Sequence, residues 1–79
     1  MLVNPEEIHW VREDLKLKEG ETLQVKARIR YRQVLENAMI NLTEAGLIVR
    51  FENPQSAIQE GQFVAWYLND ELVGSGVIS

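Results

Sequence analysis

The fold of this chain is decided by one stretch, Leu23-Gln24-Val25-Lys26-Ala27-Arg28-Ile29-Arg30-Tyr31-Arg32. Its odd positions are apolar and its even positions are polar or cationic throughout. Successive side chains of a strand point to opposite faces, whereas a helix would spread these charges over every side. The pattern therefore predicts a strand whose core-facing residues are Leu23, Val25, Ala27, Ile29 and Tyr31. Its outward-facing cations are then Lys26, Arg28, Arg30 and Arg32.

A second alternating run, at 38–42, leads through Gly46 into an apolar run at 47–52. Glycine can adopt the positive φ that a tight hairpin turn requires. We therefore predict a β-hairpin over 38–52. Pro54 ends this hairpin, because proline has no N–H to donate to a sheet ladder.

Two further strands are predicted in the last third of the chain. Residues 62–68 are rich in aromatic and β-branched side chains, 69–71 form a polar turn, and 72–78 close the chain. Gly74 and Gly76 lie two positions apart, on one face of the last strand. Glycines so placed predict a sharp bend or the close approach of another backbone.

The N-terminal residues carry weaker signals. Asn4 and Pro5 predict a single helical turn over 4–7, with Asn4 as its cap and Pro5 at its first position. Residues 8–11 are mostly apolar and predict an edge strand, and 12–21 are interpreted as a charged loop. The total is five or six short strands. Closing such a sheet removes its exposed edges, so we predict an all-β fold, a small closed antiparallel barrel of about six strands.

The composition limits what kind of protein this is. The chain has 79 residues, 46% of them hydrophobic, and it has no cysteine. This length predicts one domain, 1–79, and the missing cysteine excludes disulfides, thiolate nucleophiles and cysteine-based metal sites. No apolar run approaches the ~20 residues of a membrane span, and the first residues lack a signal-peptide pattern. We therefore expect a cytoplasmic domain without a membrane partner.

Residues able to do chemistry are scarce. His9 is the single histidine, and it is interpreted as a surface or packing residue, because nothing else is available to complete a metal site. The acidic pairs at 6–7 and 70–71 are interpreted as solvated charge, since acid–base catalysis needs a pocket and a shifted pKa. The Gly-x-Gly at 74–76 is followed by no helix that would complete a phosphate cradle. We predict no catalytic, cofactor-binding or metal-binding residue, and no stand-alone enzyme.

The charge is unevenly distributed along the chain. The formal net charge is −4, yet all eight Lys and Arg lie within residues 1–50. Cations at alternate positions of the decisive strand would lie ~7 Å apart on one face, a spacing that suits the phosphates of a nucleic acid. The alternative is a solvated face neutralised by Glu36 and Glu52 on neighbouring segments. Tryptophans 10 and 66 are interpreted as core residues rather than as platforms for base stacking.

Four stretches resemble, in order, the C-terminal domain of the tRNA-specific 2-thiouridylases. Residues 23–33 resemble the Ala-Lys-Ile-Arg-Tyr-Arg-Gln strand of that family, and 4–11 resemble the start of its last domain. Residues 51–62 resemble its Phe-x-x-Pro-Gln-x-Ala-Val-x-x-Gly-Gln turn. Residues 72–78 resemble its Leu-Gly-Gly-Gly-x-Ile strand. The four stretches together cover nearly the whole chain.

The resemblance implies a barrel similar to domain 2 of translation factors, at the end of a larger enzyme. That family has an N-terminal ATP-pyrophosphatase domain and a small central domain. It adenylates uridine 34 of certain tRNAs and replaces the 2-oxygen with sulfur, carried as a persulfide on a cysteine. The ATP loop and the working cysteines lie upstream of the barrel. The resemblance thus implies that this domain is not catalytic, that the parent enzyme uses ATP and Mg, and that its partners are tRNA, the upstream catalytic and central domains, and a sulfur-donor protein.

The same resemblance implies a set of contact residues for RNA or for a neighbouring domain: Lys26, Arg28, Arg30, Arg32 and Gln33. The chain departs from the family at two positions, since Ser56 stands where Arg is frequent and Glu60 where Pro is frequent. Both departures make the turn less positive, so any RNA surface is expected on one face only.

Two alternatives to RNA handling remain open. The first is a structural or protein-interaction barrel without RNA affinity, whose basic strand docks on another domain or on a sulfur-donor protein. The second is a barrel from an unrelated translation factor, which should lack the combined Arg-Tyr-Arg-Gln and Pro-Gln-x-Ala signature.

Overall fold

A computed structural model of the chain describes residues 1–29, 34–55 and 58–79. The sheet closes on itself in the order β1-β4-β3-β2-β5-β6, and all its neighbouring strands are antiparallel. The predicted all-β closed barrel of about six strands is confirmed. The strands in the described ranges are β1 (Leu2–Trp10), β2 (Thr22–Arg28), β3 (Glu36–Thr43), β4 (Gly46–Phe51), β5 (Phe63–Leu68) and β6 (Glu71–Ile78).

Strand β2 is formed by the stretch that predicted the fold. Val25 and Ala27 are buried, Lys26 is exposed and Arg28 is half-buried, so the predicted alternation is confirmed over these positions. The structure ends the strand at Arg28, earlier than the sequence pattern suggested. The last three residues of the predicted strand, 30–32, lie outside the described residues.

Both predicted hairpins are confirmed, and each turn needs a special backbone. Thr43 pairs with Gly46 across the β3–β4 turn. Gly46 has φ +144, and a Cβ there would lie 2.5 Å from the carbonyl oxygen of Val3, so no other residue fits. In the β5–β6 turn, Asn69 and Asp70 have φ 51 and 64, as a two-residue type I′ hairpin requires.

The helical turn predicted over 4–7 is wrong, because these residues belong to β1. The pairing of β1 with β6 shifts register between Val3 and Ile8. At this irregularity the side-chain oxygen of Asn4 accepts a hydrogen bond from the backbone N–H of Glu6 at 3.0 Å. Asn4 therefore satisfies a backbone donor as a cap would, but in a strand rather than in a helix.

The strand predicted over 8–11 is confirmed at 8–10, which form the end of β1. Within the described chain these three residues pair with β6 alone, as an edge does, whereas the start of β1, at Leu2 and Val3, also pairs with β4 and so closes the barrel. The end of β1 is marked by the carbonyl oxygen of Val73, which accepts hydrogen bonds from the backbone N–H groups of Val11 and Arg12 at 2.8 and 3.1 Å. The loop that follows contains one short 3₁₀ turn, Glu13–Leu15.

The core is organised around Trp66, which is 0% exposed. Gly74 pairs with Trp66 on one side and with Trp10 on the other. A Cβ at Gly74 would lie 2.9 Å from the carbonyl oxygen of His9 and 2.8 Å from the ring of Trp66, so the predicted close approach of another backbone is confirmed. The missing side chain leaves room for the two indoles to meet edge to face, with centroids 5.5 Å apart. Trp66 is a core residue, as predicted, and Trp10 is half-buried and packs against the core.

A bulge in β6 lies beside this glycine. Trp66 pairs with Gly74 but Tyr67 pairs with Leu72, so Val73 is the extra residue of the pair. Val73 and Gly74 are consequently both buried, although neighbours in a regular strand would face opposite sides.

Among the described residues, no helix is long and apolar enough to cross a membrane.

Candidate nucleic-acid interface

A row of polar side chains crosses the outer face of three strands. Lys26 of β2 pairs with Asn37 of β3 and with Tyr67 of β5. Directly opposed residues of antiparallel strands point to the same face, with Cβ atoms about 5 Å apart. Within the parts of the chain that the structure describes, the Lys26 ammonium has neither an ion pair nor a hydrogen bond. The row therefore offers an exposed cation between an amide and an aromatic ring.

Arg28 is held against the same aromatic ring. Its Nη2 donates a hydrogen bond to the Tyr67 hydroxyl at 2.9 Å. The guanidinium carbon lies 5.2 Å from the ring centroid, which is within the range of a cation–π contact. The contact orients the guanidinium across β5 and fixes the Tyr67 ring, so a positive charge and a flat surface are kept together.

A pocket opens on this face where β2 and β5 separate. Their pairing ends at Lys26 and Tyr67, and no later pair follows within the described chain, although β2 begins four residues earlier at Thr22. The gap forms an open pocket of about 480 Å³. Val25 and Leu68 contribute to its lining. The polar side chains around it are Gln24, Lys26, Asn37, Tyr67, Asn69 and Asp70.

The structure places part of the predicted contact set. Lys26 and Arg28 lie two positions apart on the outer face of β2, as the alternation required. Arg30, Arg32 and Gln33 lie outside the described residues, and so does Ser56. Glu36, a suggested partner for these cations, pairs with Ala27 rather than with Lys26, and its Oε2 accepts a hydrogen bond from Gln55 Nε2 at 2.7 Å.

Sequence reasoning missed the residues that complete this face. Tyr67 was assigned to a strand, but nothing indicated that its ring meets Arg28 from β2. Asn37 and the turn residues Asn69 and Asp70 carried no functional signal at all. The alternation of polar and apolar residues in β3 and β5 could have placed Asn37 and Tyr67 on the outer face. Only the order of the strands brings them to one pocket with the turn residues.

A second polar cluster binds a loop to the barrel. Arg12 donates to both carboxylate oxygens of Asp14, from Nε at 2.9 Å and from Nη2 at 2.6 Å, and it also contacts Glu71. The hydrogen bond from Arg12 lowers the pKa of Asp14 below its ordinary value, and the same bond raises the pKa of Arg12. The cluster joins the 12–21 loop to the start of β6, which is a structural task.

Candidate metal ligands are not grouped in the residues that can be described, since no three His, Asp or Glu side chains come together there. His9 is exposed and pairs with Ser75 on the outside of the barrel. The interpretation of His9 as a surface residue is confirmed.

An apolar patch lies at the other end of β5. Phe63 is 65% exposed, and it pairs with the half-buried Val77 of β6. We call Phe63 and Val77 the apolar patch. Large apolar side chains exposed in this way are typical of surfaces that contact another protein.

Comparison with known proteins identifies the family. A family model described as the aminomethyltransferase beta-barrel domain matches residues 3–78. Over all 79 residues the chain is 65% identical to the tRNA-specific 2-thiouridylase MnmA of Flavobacterium johnsoniae and 56% identical to that of Christiangramia forsetii. It is 44% identical over 72 residues to the enzyme of the same name from Karelsulcia muelleri.

The matches cover 100%, 100% and 91% of this chain, but 20%, 20% and 18% of the respective relatives. The chain thus spans about one fifth of the length of these curated relatives. The resemblance stated from the four sequence stretches is confirmed, and the chain belongs to the aminomethyltransferase β-barrel domain family, as the C-terminal barrel that tRNA-specific 2-thiouridylases carry.

Proposed function

We propose that this barrel is the tRNA-contacting, non-catalytic domain of an enzyme that performs the ATP-dependent 2-thiolation of uridine 34 in tRNA. The observation that carries the RNA role is the outward face of β2, where Lys26 is exposed and Arg28 is fixed over Tyr67. Identity to proteins named tRNA-specific 2-thiouridylase over the whole chain supports the activity of the parent enzyme.

Lys26 and Arg28 give the outer face of β2 a local positive charge, which phosphate contact requires, although the net charge of the chain is −4. Affinity for nucleic acid depends on the local charge that meets the phosphates, not on the total. Arg28 suits a phosphate because its planar guanidinium can donate two parallel hydrogen bonds, whereas Lys26 acts as a point charge. Arg30, Arg32 and Gln33 continue the proposed contact set along the sequence.

The remaining four fifths of the enzyme are proposed to supply the chemistry. ATP, Mg and the sulfur-carrying cysteine are assigned to the upstream catalytic and central domains, because the barrel sequence has no cysteine. The barrel is then a positioning element in a cytoplasmic enzyme, which holds tRNA while a separate sulfur-donor protein serves the catalytic part.

The direct test is binding of an unmodified tRNA transcript to the chain at low salt, followed by fluorescence anisotropy. The variant that replaces Arg28, Arg30 and Arg32 with Ala is expected to bind more weakly, and binding of the unaltered chain is expected to fall as salt rises. Arg50→Ala is the control, because Arg50 is an exposed cation on β4, two strands away from β2. Absence of binding at low salt, or equal binding by all three chains, would reject the RNA role.

The apolar patch favours a second candidate function, that of a barrel that docks on another protein or domain without touching RNA. Exposed apolar patches are found on surfaces that contact other proteins, and Phe63, at 65% exposed, lies beside Val77. In an intact parent enzyme, Phe63→Ser should lower the melting temperature of the whole protein if the patch is covered by another domain. An unchanged melting temperature argues against this candidate.

A further inference from the structure

The pocket between β2 and the β5–β6 turn has a composition that the phosphate contacts do not explain. Phosphate oxygens accept hydrogen bonds from cations, amides and hydroxyls but are repelled by a carboxylate, yet this pocket contains Asp70 together with Tyr67 and Asn37. These groups are brought together because β2 and β5 stop pairing at Lys26 and Tyr67. We propose that the pocket is a subsite for one unstacked nucleotide of the RNA, an inference that rests on the proposed function.

The Tyr67 ring is the proposed stacking surface for the base. Single-stranded RNA is recognised largely by stacking its splayed bases on aromatic side chains. The ring is already fixed by Arg28, through the hydrogen bond to its hydroxyl and through the guanidinium 5.2 Å from its centroid. A ring that is fixed before binding loses little conformational entropy when a base is placed on it.

The distribution of charge around the pocket orients the nucleotide. Lys26 lies beside Tyr67 and two positions from Arg28, so the phosphate belongs at this end. Asp70 lies in the turn at the other end, where its carboxylate repels phosphate but accepts hydrogen bonds from N–H groups on a base edge. The Asn37 side-chain amide both donates and accepts, which suits a base edge as well. The volume of about 480 Å³ is within the usual range for a small-ligand site, about 300–1,000 Å³.

A protein segment added as an extra strand fits this pocket less well. Strand addition needs a row of free backbone groups along an exposed edge. The side of β2 that faces β5 is paired from Arg28 to Lys26, which leaves only 22–25 for a new neighbour. Most of the lining residues are polar, with Val25 and Leu68 as the apolar exceptions, so the nucleotide is favoured.

Titration of the ¹⁵N-labelled chain with cytidine 5′-monophosphate, followed by amide chemical shifts, tests the subsite without any variant. Shifts are expected at the amides of Lys26, Asn37, Asn69 and Asp70. Inorganic phosphate at the same concentration is expected to shift the amide of Lys26 but not those of the turn. No shift at the turn, or the same shifts with phosphate alone, would overturn the nucleotide subsite.

Binding of pentacytidylate then measures the stacking. Tyr67→Ala is expected to weaken it about tenfold or more, which is the usual effect of removing a stacking ring, and Tyr67→Phe to keep most of the affinity. Phe63→Ala is the matched control, since Phe63 is an exposed aromatic residue on the same strand outside the pocket. Equal losses in the Tyr67→Ala and Phe63→Ala variants would overturn the proposal. If Tyr67→Ala fails to fold, the titration with cytidine 5′-monophosphate against inorganic phosphate decides the proposal, because it needs no variant.

The two proposals can fail separately. If tRNA binds and weakens with the arginine variants but is indifferent to Tyr67→Ala, the subsite is rejected and the RNA role stands. If tRNA does not bind at low salt, the RNA role is rejected. If a fragment of another protein, rather than the nucleotide, shifts the amides at 22–25, the nucleotide subsite is rejected in favour of strand addition.

Discussion

The two ends of strand β5 present different chemistry to solvent. At one end Tyr67 contacts Arg28 and lines a polar pocket with Lys26. At the other end, four residues or ~13 Å away, Phe63 is 65% exposed beside Val77. One strand therefore carries both candidate functions, RNA contact at the Tyr67 end and protein contact at the Phe63 end, far enough apart for single substitutions to separate them.

The difference has a simple structural origin. The Tyr67 end has a pocket because β2 stops pairing with β5 there, so polar side chains of two strands and one turn surround a gap. At the Phe63 end β5 pairs with β6, as it also does at Tyr67, and within the described residues its pairing with β2 stops at Ala65. The two ends therefore differ in the side chains around them: polar residues of β2 and of the β5–β6 turn surround Tyr67, whereas Val77 lies beside Phe63.

The largest loss of stability is expected from a substitution of Trp66, the core residue between the two ends of β5. Trp66→Ala should lower the free energy of unfolding by about 3–5 kcal/mol, because it removes a fully buried ring and leaves a cavity over Gly74. The core of a domain this small rarely contributes much more stability than that in total. The variant should therefore unfold as a whole, and the surfaces at both ends of β5 should be lost together. Urea unfolding followed by circular dichroism measures the change.

Phe63→Ala is the control for that measurement, since the exposed ring should contribute within about 0.5 kcal/mol. A similar loss in both variants would mean that Phe63 packs in the isolated chain, and the contrast between a solvent-exposed and a core aromatic on β5 would be wrong.

A smaller effect is expected on RNA binding from a single cation at the Tyr67 end. Lys26→Ala should reduce the slope of log affinity against log salt by about 0.7–0.9, the value for one phosphate contact. Anisotropy titrations with the tRNA transcript between low and moderate salt give this slope. Arg50→Ala makes the same change of charge on β4 and should leave the slope unchanged. An equal change in both variants would show that the RNA responds to the overall charge of the chain and not to a contact with Lys26.

Much of the fold follows from local patterns, and the site does not. The period-2 alternation around Val25 predicted β2, and Gly46 and Gly74 predicted a tight turn and a close approach, because each is a property of one segment. The Asn4-Pro5 pair gave the wrong element, since its local preference for a helix start was overridden by the pairing of Val3 and Ile8, on either side of it, with β6. Tertiary pairing of that kind leaves no trace in a short window of sequence.

The pocket depends on a neighbour relation that is not sequential. Strand β5 lies beside β2, although β3 and β4 separate them in the chain. The sequence shows cations at 26 and 28 and an aromatic residue at 67, but not that they face each other. Family resemblance led to the cations on β2, while Tyr67 and the turn residues became candidates only once the strand order was known.

A small gain in stability, rather than a loss, is expected from a substitution in the β5–β6 turn, at the Tyr67 end of β5. Asp70 has φ 64, a conformation that glycine adopts without the strain of a side chain. Asp70→Gly should therefore raise the free energy of unfolding by about 0.5 kcal/mol. Urea unfolding tests this change, with Glu60→Gly as a control that removes the same charge outside the β5–β6 turn. A loss of stability in Asp70→Gly would show that its carboxylate stabilises the hairpin.

The smallest change in stability is expected from the pH dependence of the salt bridge between Arg12 and Asp14. Arg12 also contacts Glu71 at the start of β6. The hydrogen bond from Arg12 makes the folded-state pKa of Asp14 lower than its unfolded value. The carboxylate therefore stabilises the fold at pH values above the unfolded pKa, and this contribution is lost as pH falls through the folded pKa. Because the pair is exposed to solvent, the change should be small and should shrink with salt.

Asp14→Asn tests this linkage by comparing urea midpoints at neutral and acidic pH. The variant should lose less stability than the unaltered chain on acidification, because it has no proton to take up at this position. Glu13→Gln is the control, since Glu13 neighbours Asp14 but makes no ion pair among the residues that are described. If both variants respond to acid as the unaltered chain does, Arg12 does not bind Asp14 strongly in solution, and the loop is held to β6 by the contact of Arg12 with Glu71 and by the backbone hydrogen bonds to Val73.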